Sequence, residues 1–107
     1  MNAQPIKFTY QDRDYTLEFT RSSIQQLERS GFNINEIDAK LMTMLPRLFA
    51  GAFLANHRFV KQQLIDEMFE KFTNKTALFE RLTELYQLPF NAMLDDEVDE
   101  KNAIMWE

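Results

Sequence analysis

Between Leu41 and Ala55 every residue is apolar except Thr43 and Arg47. No other stretch constrains the fold as strongly. A bilayer span needs about 20 apolar residues. This run is shorter, and Pro46 and Arg47 interrupt it, so it is not a span. A helix that is apolar on most sides must be buried on most sides. The rest of the chain therefore has to wrap it. Two arrangements satisfy that demand. In one, the run is a central core helix. In the other, one side carrying Met42, Phe49 and Phe53 stays open as a groove for a partner helix. Pro46 suits the first turn of a new helix, with the chain bending before it. Gly51 and the alanines Ala50, Ala52 and Ala55 allow close helix approach.

The wrapping elements are legible on both sides of the run. Ile6, Phe8 and Tyr10 alternate with Lys7 and Thr9, and Tyr15, Leu17 and Phe19 alternate with Thr16 and Glu18. Period-2 runs of strand-forming types predict a β-hairpin. A four-residue loop, Gln11-Asp12-Arg13-Asp14, would set Tyr10 opposite Tyr15, Phe8 opposite Leu17 and Ile6 opposite Phe19. The same register would put Lys7 opposite Glu18 on the solvent face. A lone hairpin is marginal in water, so its apolar face must lie on helices.

Thr20-Arg21-Ser22-Ser23 predicts a helix start, with Thr20 or Ser22 as N-cap and a capping box from Ser22 to Gln25. Ile24 and Leu27 point inward, Gly31 ends the helix, and Phe32 folds back over its last turn. Asn33 and Asn35 compete to cap a second helix. Leu64, Ile65, Met68, Phe69 and Phe72 form the cleanest amphipathic stripe, facing Leu78, Phe79, Leu82, Leu85 and Tyr86 of a last helix that Pro89 ends. Phe69 and Leu82 should meet on the buried faces of these two helices. The predicted fold is therefore α+β, an N-terminal β-hairpin packed on a bundle of about four α-helices. Residues 1–94 form a single domain, and 95–107 an acidic C-terminal tail with an apolar end.

Composition narrows the function classes. Hydrophobic residues make up 45% of the chain, too many for a disordered protein. With no Cys, disulfides, thiolate metal sites and thiol nucleophiles drop out. His57 is the single His; beside Asn56 and Arg58 at a helix end, it suits capping of carbonyls better than catalysis. Gly31 and Gly51 are the two glycines, so no Gly-rich phosphate loop exists. Ser22 and Ser23 read as caps rather than nucleophiles. Asp66, Glu67 and Glu70 read as a solvated helix face. No catalytic residue, metal or cofactor is expected. The net charge of -5 is carried by residues 95–107, leaving 1–94 balanced. Nucleic acid, which needs clustered Lys and Arg, is not an expected partner. The acidic tail reads either as a solubilising end or as an electrostatic contact for a basic partner. Ala103–Trp106 could add a third strand or dock on a partner. No secretory leader follows Met1, which favours a cytoplasmic setting.

The segment order carries a resemblance. Lys7-Phe8-Thr9-Tyr10 and Asp14–Phe19 form the hairpin, followed by Thr20-Arg21 and Glu28-Arg29-Ser30-Gly31-Phe32. Then come Leu48-Phe49-Ala50-Gly51-Ala52-Phe53-Leu54 with Asn56-His57, Ile65–Phe69, Leu82–Tyr86 and a closing Asn102–Glu107. Over essentially the whole chain this resembles a family of small proteins from phages and prophages of Gram-positive bacteria, encoded among the tail genes. The resemblance implies a siphophage tail assembly chaperone, similar in task to the lambda-type short chaperone with a frameshifted extension. It would act in the host cytoplasm, with tape measure protein as partner and tail tube protein as a second. Met42, Phe49, Phe53 and Trp106 are the candidate partner-binding residues, and homo-oligomerisation stays open. The competing reading is a small acidic adaptor or inhibitor of a host protein.

Overall fold

The structure is a computed structural model, and it describes residues 4–94. Two antiparallel strands, β1 (Ile6–Tyr10) and β2 (Arg13–Leu17), precede four α-helices: α1 (Arg21–Arg29), α2 (Leu41–Gly51), α3 (Gln62–Lys71) and α4 (Lys75–Leu94). The α+β class and the hairpin-plus-bundle architecture agree with the sequence reading. Among the described residues no helix is long and apolar enough to cross a membrane.

The hairpin register differs from the sequence expectation by two residues. Ile6 pairs with Leu17, Phe8 with Tyr15 and Tyr10 with Arg13. Lys7 faces Thr16, not Glu18. The turn is the two-residue Gln11-Asp12, with φ of 52° and 65°. Both residues in the left-handed region meet the requirement of a type I′ turn, whose twist matches that of the strands. A shift of two leaves every side chain on its expected face, because the strand period is two. Tyr15 and Leu17 are therefore still buried, and Phe8 stacks on Tyr15 at 5.3 Å between ring centroids.

Thr20 is the N-cap of α1. Its hydroxyl accepts from the Ser23 amide, and Ser23 Oγ accepts from the Thr20 amide, so the capping box uses Ser23 rather than Gln25. The helix ends as the sequence predicts. Gly31 has φ of 100°, its N–H reaches the Glu28 carbonyl at 3.0 Å, and the Phe32 N–H reaches that of Leu27 at 3.3 Å. This is the Schellman arrangement, and buried Phe32 closes it over Leu27.

The expected helix near Asn33 is only a 3-10 turn over Ile34–Glu36, capped by Asn33 Oδ1 on the Asn35 amide at 2.9 Å. The α-helix starts later, at Leu41, and runs through Pro46 without restarting. Pro46 has no N–H to offer the Met42 carbonyl, and Met42 is so exposed that water can take that bond. Pro89 likewise lies inside α4 rather than ending it. One lost bond does not stop the helix, because Phe90 continues the stripe onto Tyr86, with centroids 5.4 Å apart.

The core is built around α2. Met44, Leu45, Leu48, Phe49, Ala52 and Phe53 are buried. Gly51 lets α1 approach: a Cβ there would lie 2.5 Å from Leu27 Cδ2. The Phe49 ring meets Phe53, Phe69 and Phe72 at 5.2–5.4 Å. Leu82 is fully buried as expected, but Phe69 is only half-buried, with Lys75 Nζ 5.1 Å from its ring centroid.

Tyr86 is fully buried, and its hydroxyl has no hydrogen-bond partner among the described residues. Burial pushes its phenol up to about 12, with Glu28 adding to the effect. The unfolded chain would ionise this phenol near 10, so it loses its proton first. Stability therefore falls as pH rises from about 10 toward 12. Tyr86→Phe should flatten that alkaline fall relative to wild type and keep or raise the neutral-pH melting temperature, read by thermal melts across pH 8–12. An unchanged alkaline limb would show that the phenol is not the titrating group.

The turn yields a second expectation. An L-residue in the left-handed region costs roughly 1–2 kcal/mol, less for Asp. Asp12→Gly should therefore stabilise the fold by up to about 1 kcal/mol, seen as a higher urea midpoint. A lower midpoint would contradict the type I′ geometry.

Candidate functional site

The structure separates the four residues singled out as partner contacts. Phe49 and Phe53, 0% and 1% exposed, are core residues and present no surface to a partner. The apolar run is thus mainly a core helix, and its expected groove does not lie over these two rings. Met42, 93% exposed, does face outward at the start of α2, beside the partly exposed Leu41. Trp106 lies outside the described residues.

The residue that sequence reasoning missed is Phe59. The chain has ten Phe, and nine are buried or half-buried while Phe59 is 97% exposed. Burying a Phe side chain stabilises by about 1.5–3 kcal/mol, and this position forgoes that gain. The signal was present: an aromatic between Arg58 and Lys61, directly after the break in hydrophobic patterning at Asn56-His57.

The loop that carries Phe59 is held by the outer edge of β2. An edge strand exposes unpaired backbone groups, and here the segment after α2 satisfies them. The Glu18 N–H donates to the Ala52 carbonyl at 3.3 Å. The Thr16 N–H donates to His57 Nε2 at 2.9 Å, and Asn56 Nδ2 donates to the Thr16 carbonyl at 3.3 Å. The same Asn56 amide reaches Glu18 Oε2 at 2.7 Å, which gives Glu18 a partner in place of the expected Lys7. His57 is therefore not a cap on helix carbonyls, because its ring nitrogen accepts from a strand amide. A backbone amide can only donate, so Nε2 is the unprotonated nitrogen in this contact. The imidazole also packs edge-on to Tyr15 at 5.2 Å and Phe53 at 6.2 Å. Beyond it, half-buried Val60 turns into the core and Phe59 turns out.

Between this loop and the hairpin tip lies an open cleft of about 580 Å³, lined among others by Tyr10, Arg13, His57, Arg58, Phe59 and Lys61. Arg13 shares the helix-facing side of the hairpin with Tyr10 and Tyr15, because the three occupy the same parity in the ladder. Asp14 faces the other side, where its carboxylate accepts from the Thr9 hydroxyl at 2.6 Å. Tyr10 closes one wall by donating its hydroxyl to the Glu67 carboxylate. That bond, more than burial, raises its phenol above the ordinary value. The cleft thus combines three cations with an exposed aromatic, and no lining residue is a carboxylate. Among the described residues no group of His, Asp and Glu is arranged to hold a metal ion. The arrangement can bind a surface; it does not assemble a nucleophile with a base.

The family model described as Domain of unknown function (DUF5055) matches residues 1–107, so the chain belongs to that family. No curated protein and no solved structure matches the chain.

His57→Phe would keep the ring packing and delete the acceptor. It should leave the Thr16 amide unpaired and cost about 1–3 kcal/mol, measured as a lowered urea midpoint. An unchanged midpoint would show that the bond contributes nothing to the seat of the loop.

Proposed function

We propose that the chain is a non-catalytic protein-binding module, a tail assembly chaperone that holds tape measure protein, and with it tail tube protein, during phage tail morphogenesis in the host cytoplasm. The observation that carries the binding role is Phe59, fully presented between Arg58 and Lys61 at the rim of a cleft. An exposed aromatic at the rim of a cleft offers apolar area that a partner can bury. Aromatic and arginine side chains dominate interface energetics when a partner desolvates them. Met42 offers a second exposed apolar contact, with an unbranched chain that adapts to irregular partners. The choice of partner rests on the resemblance of the segment order to tail-gene proteins. A tape measure protein is a long helical chain with apolar stretches, prone to aggregate before the tube surrounds it. A small module with apolar contacts and a net negative charge suits that task. The engaged Nε2 of His57 argues against an enzyme, since the single imidazole of the chain already serves a structural bond.

Phe59→Ser tests the reading. The substituted side chain is exposed, so folding stability should change by no more than about 0.5 kcal/mol. Co-expressed with a tape measure fragment, wild type should keep the fragment soluble, and Phe59→Ser should lose most of that rescue while melting as wild type does. A wild-type protein that forms no complex with tape measure or tail tube protein would refute the chaperone reading. Full rescue by Phe59→Ser would refute this surface.

A further inference from the structure

We propose that residues 95–107 of one copy of the chain dock, head to tail, in the hairpin-tip cleft of a second copy. The inference rests on reading that cleft as a protein-docking surface and adds its occupant.

Charge comes first. Arg13, Arg58 and Lys61 line the cleft without a lining carboxylate. The one salt bridge among the described residues joins Lys40 to Glu36 elsewhere. The three cations therefore face the opening without an ionic partner among the described residues. Residues 95–107 hold Asp95, Asp96, Glu97, Asp99, Glu100 and Glu107 against Lys101 alone, while residues 1–94 are balanced. The whole charge excess of the protein thus sits in the segment that complements the cleft. Complementary potentials steer association and set its register.

The apolar part matches as well. Ile104, Met105 and Trp106 follow five of these six acids, with Glu107 after them. The cleft offers exposed Phe59 and half-buried Tyr10 as aromatic surface and Arg58 as a cation for an indole face. An acidic stretch followed by an aromatic residue fits a basic cleft with an aromatic rim.

The direction of α4 selects a second copy. Phe72, just before α4, packs edge-on to Phe8 at 5.0 Å, in the middle of the hairpin. Arg81 then donates to the Gln4 carbonyl at 3.0 Å, at the base of β1. Phe90 and Met93 lie beside Arg21 and Gln25 of α1. The helix therefore runs from the hairpin away from its tip, over about 30 Å at 1.5 Å per residue. Leu94 lies at the opposite end of the fold from the cleft of its own chain. Reaching back would hold the segment nearly straight along the body, at a high cost in chain entropy. A second copy offers the same cleft with no such constraint. A contact of this kind joins unlike surfaces, so it builds rings or open chains of copies, populated at rising concentration.

Sedimentation velocity on the full chain, without any tape measure protein, tests this. At low salt the weight-average mass should rise with concentration above the 12.8 kDa of one chain, and added salt should reverse the rise. A cleft variant, Arg13→Glu with Arg58→Glu and Lys61→Glu, should stay monomeric. A tail variant, Asp95→Lys with Asp96→Lys and Glu97→Lys, should stay monomeric too. Mixed, the two should associate again, in 1:1 stoichiometry and with a mass that rises with concentration, because each variant's tail now meets an opposite charge in the other's cleft. Melting curves matching wild type establish that both variants are folded. A wild type that is monomeric at all concentrations, whether its tail is free or docked on its own chain, overturns the proposal. So does self-association indifferent to salt, or a mixture that remains monomeric. A monomeric wild type that still rescues a tape measure fragment would sink this inference alone. A self-associating one that rescues nothing would sink the chaperone reading alone.

Discussion

The fold depends on the burial of the α2 face around Phe49. That ring touches Phe53 on its own segment, Phe69 on α3 and Phe72 at the α3–α4 junction. Phe72 in turn packs on Phe8 of the hairpin. One aromatic cluster therefore ties α2, α3 and the sheet together. Edge-to-face ring pairs add to the energy of apolar burial and restrict geometry more than aliphatic contacts do. On the far side of α2, Gly51 admits Leu27 at a distance that no side chain would allow. The helix is thus enclosed by rings on one side and by close backbone approach on the other.

The two-stranded sheet could not persist alone. Its inner face is covered by the core, and the outer edge of β2 is completed by Ala52, Asn56 and His57. These bonds have a functional side. They seat the segment after α2 against the strand, and once it is seated, the next residues have only a short path into α3. Val60 takes the inward place on that path and Phe59 is left outside. The exposed aromatic of the candidate site is thus a consequence of how the sheet edge is satisfied.

The same geometry divides the molecule by chemistry. One end holds the hairpin tip, Arg13, Arg58, Lys61 and Phe59. The other holds the end of α4, where Leu88, Met93 and Leu94 are exposed and the acidic segment follows. A protein whose body carries balanced charge can still present unlike ends, because charge pattern rather than net charge decides what approaches each face.

Much of this was legible in local pattern. Period-2 alternation placed both strands and their faces, and period-3.6 stripes placed Ile24, Leu27, Ile65, Met68, Leu82 and Tyr86 inward. Gly31 marked the end of α1 because few other residues accept its backbone angle. Those properties depend on residues close in sequence, and the amino acids alone determined them. Register did not follow, since a two-residue and a four-residue turn leave identical faces, and only the twist of the formed hairpin favours the shorter one. The continuity of α2 and α4 through Pro46 and Pro89 did not follow either. A proline removes one backbone bond, and whether packing on both sides outweighs that loss depends on neighbours far away in the chain. The burial of Phe49 and the exposure of Phe59 were decided in the same way. Both are Phe flanked by a basic or apolar neighbour, and their fates differ because one lies where α2 and α3 meet in a cluster of rings and the other on a loop whose inward place Val60 already fills.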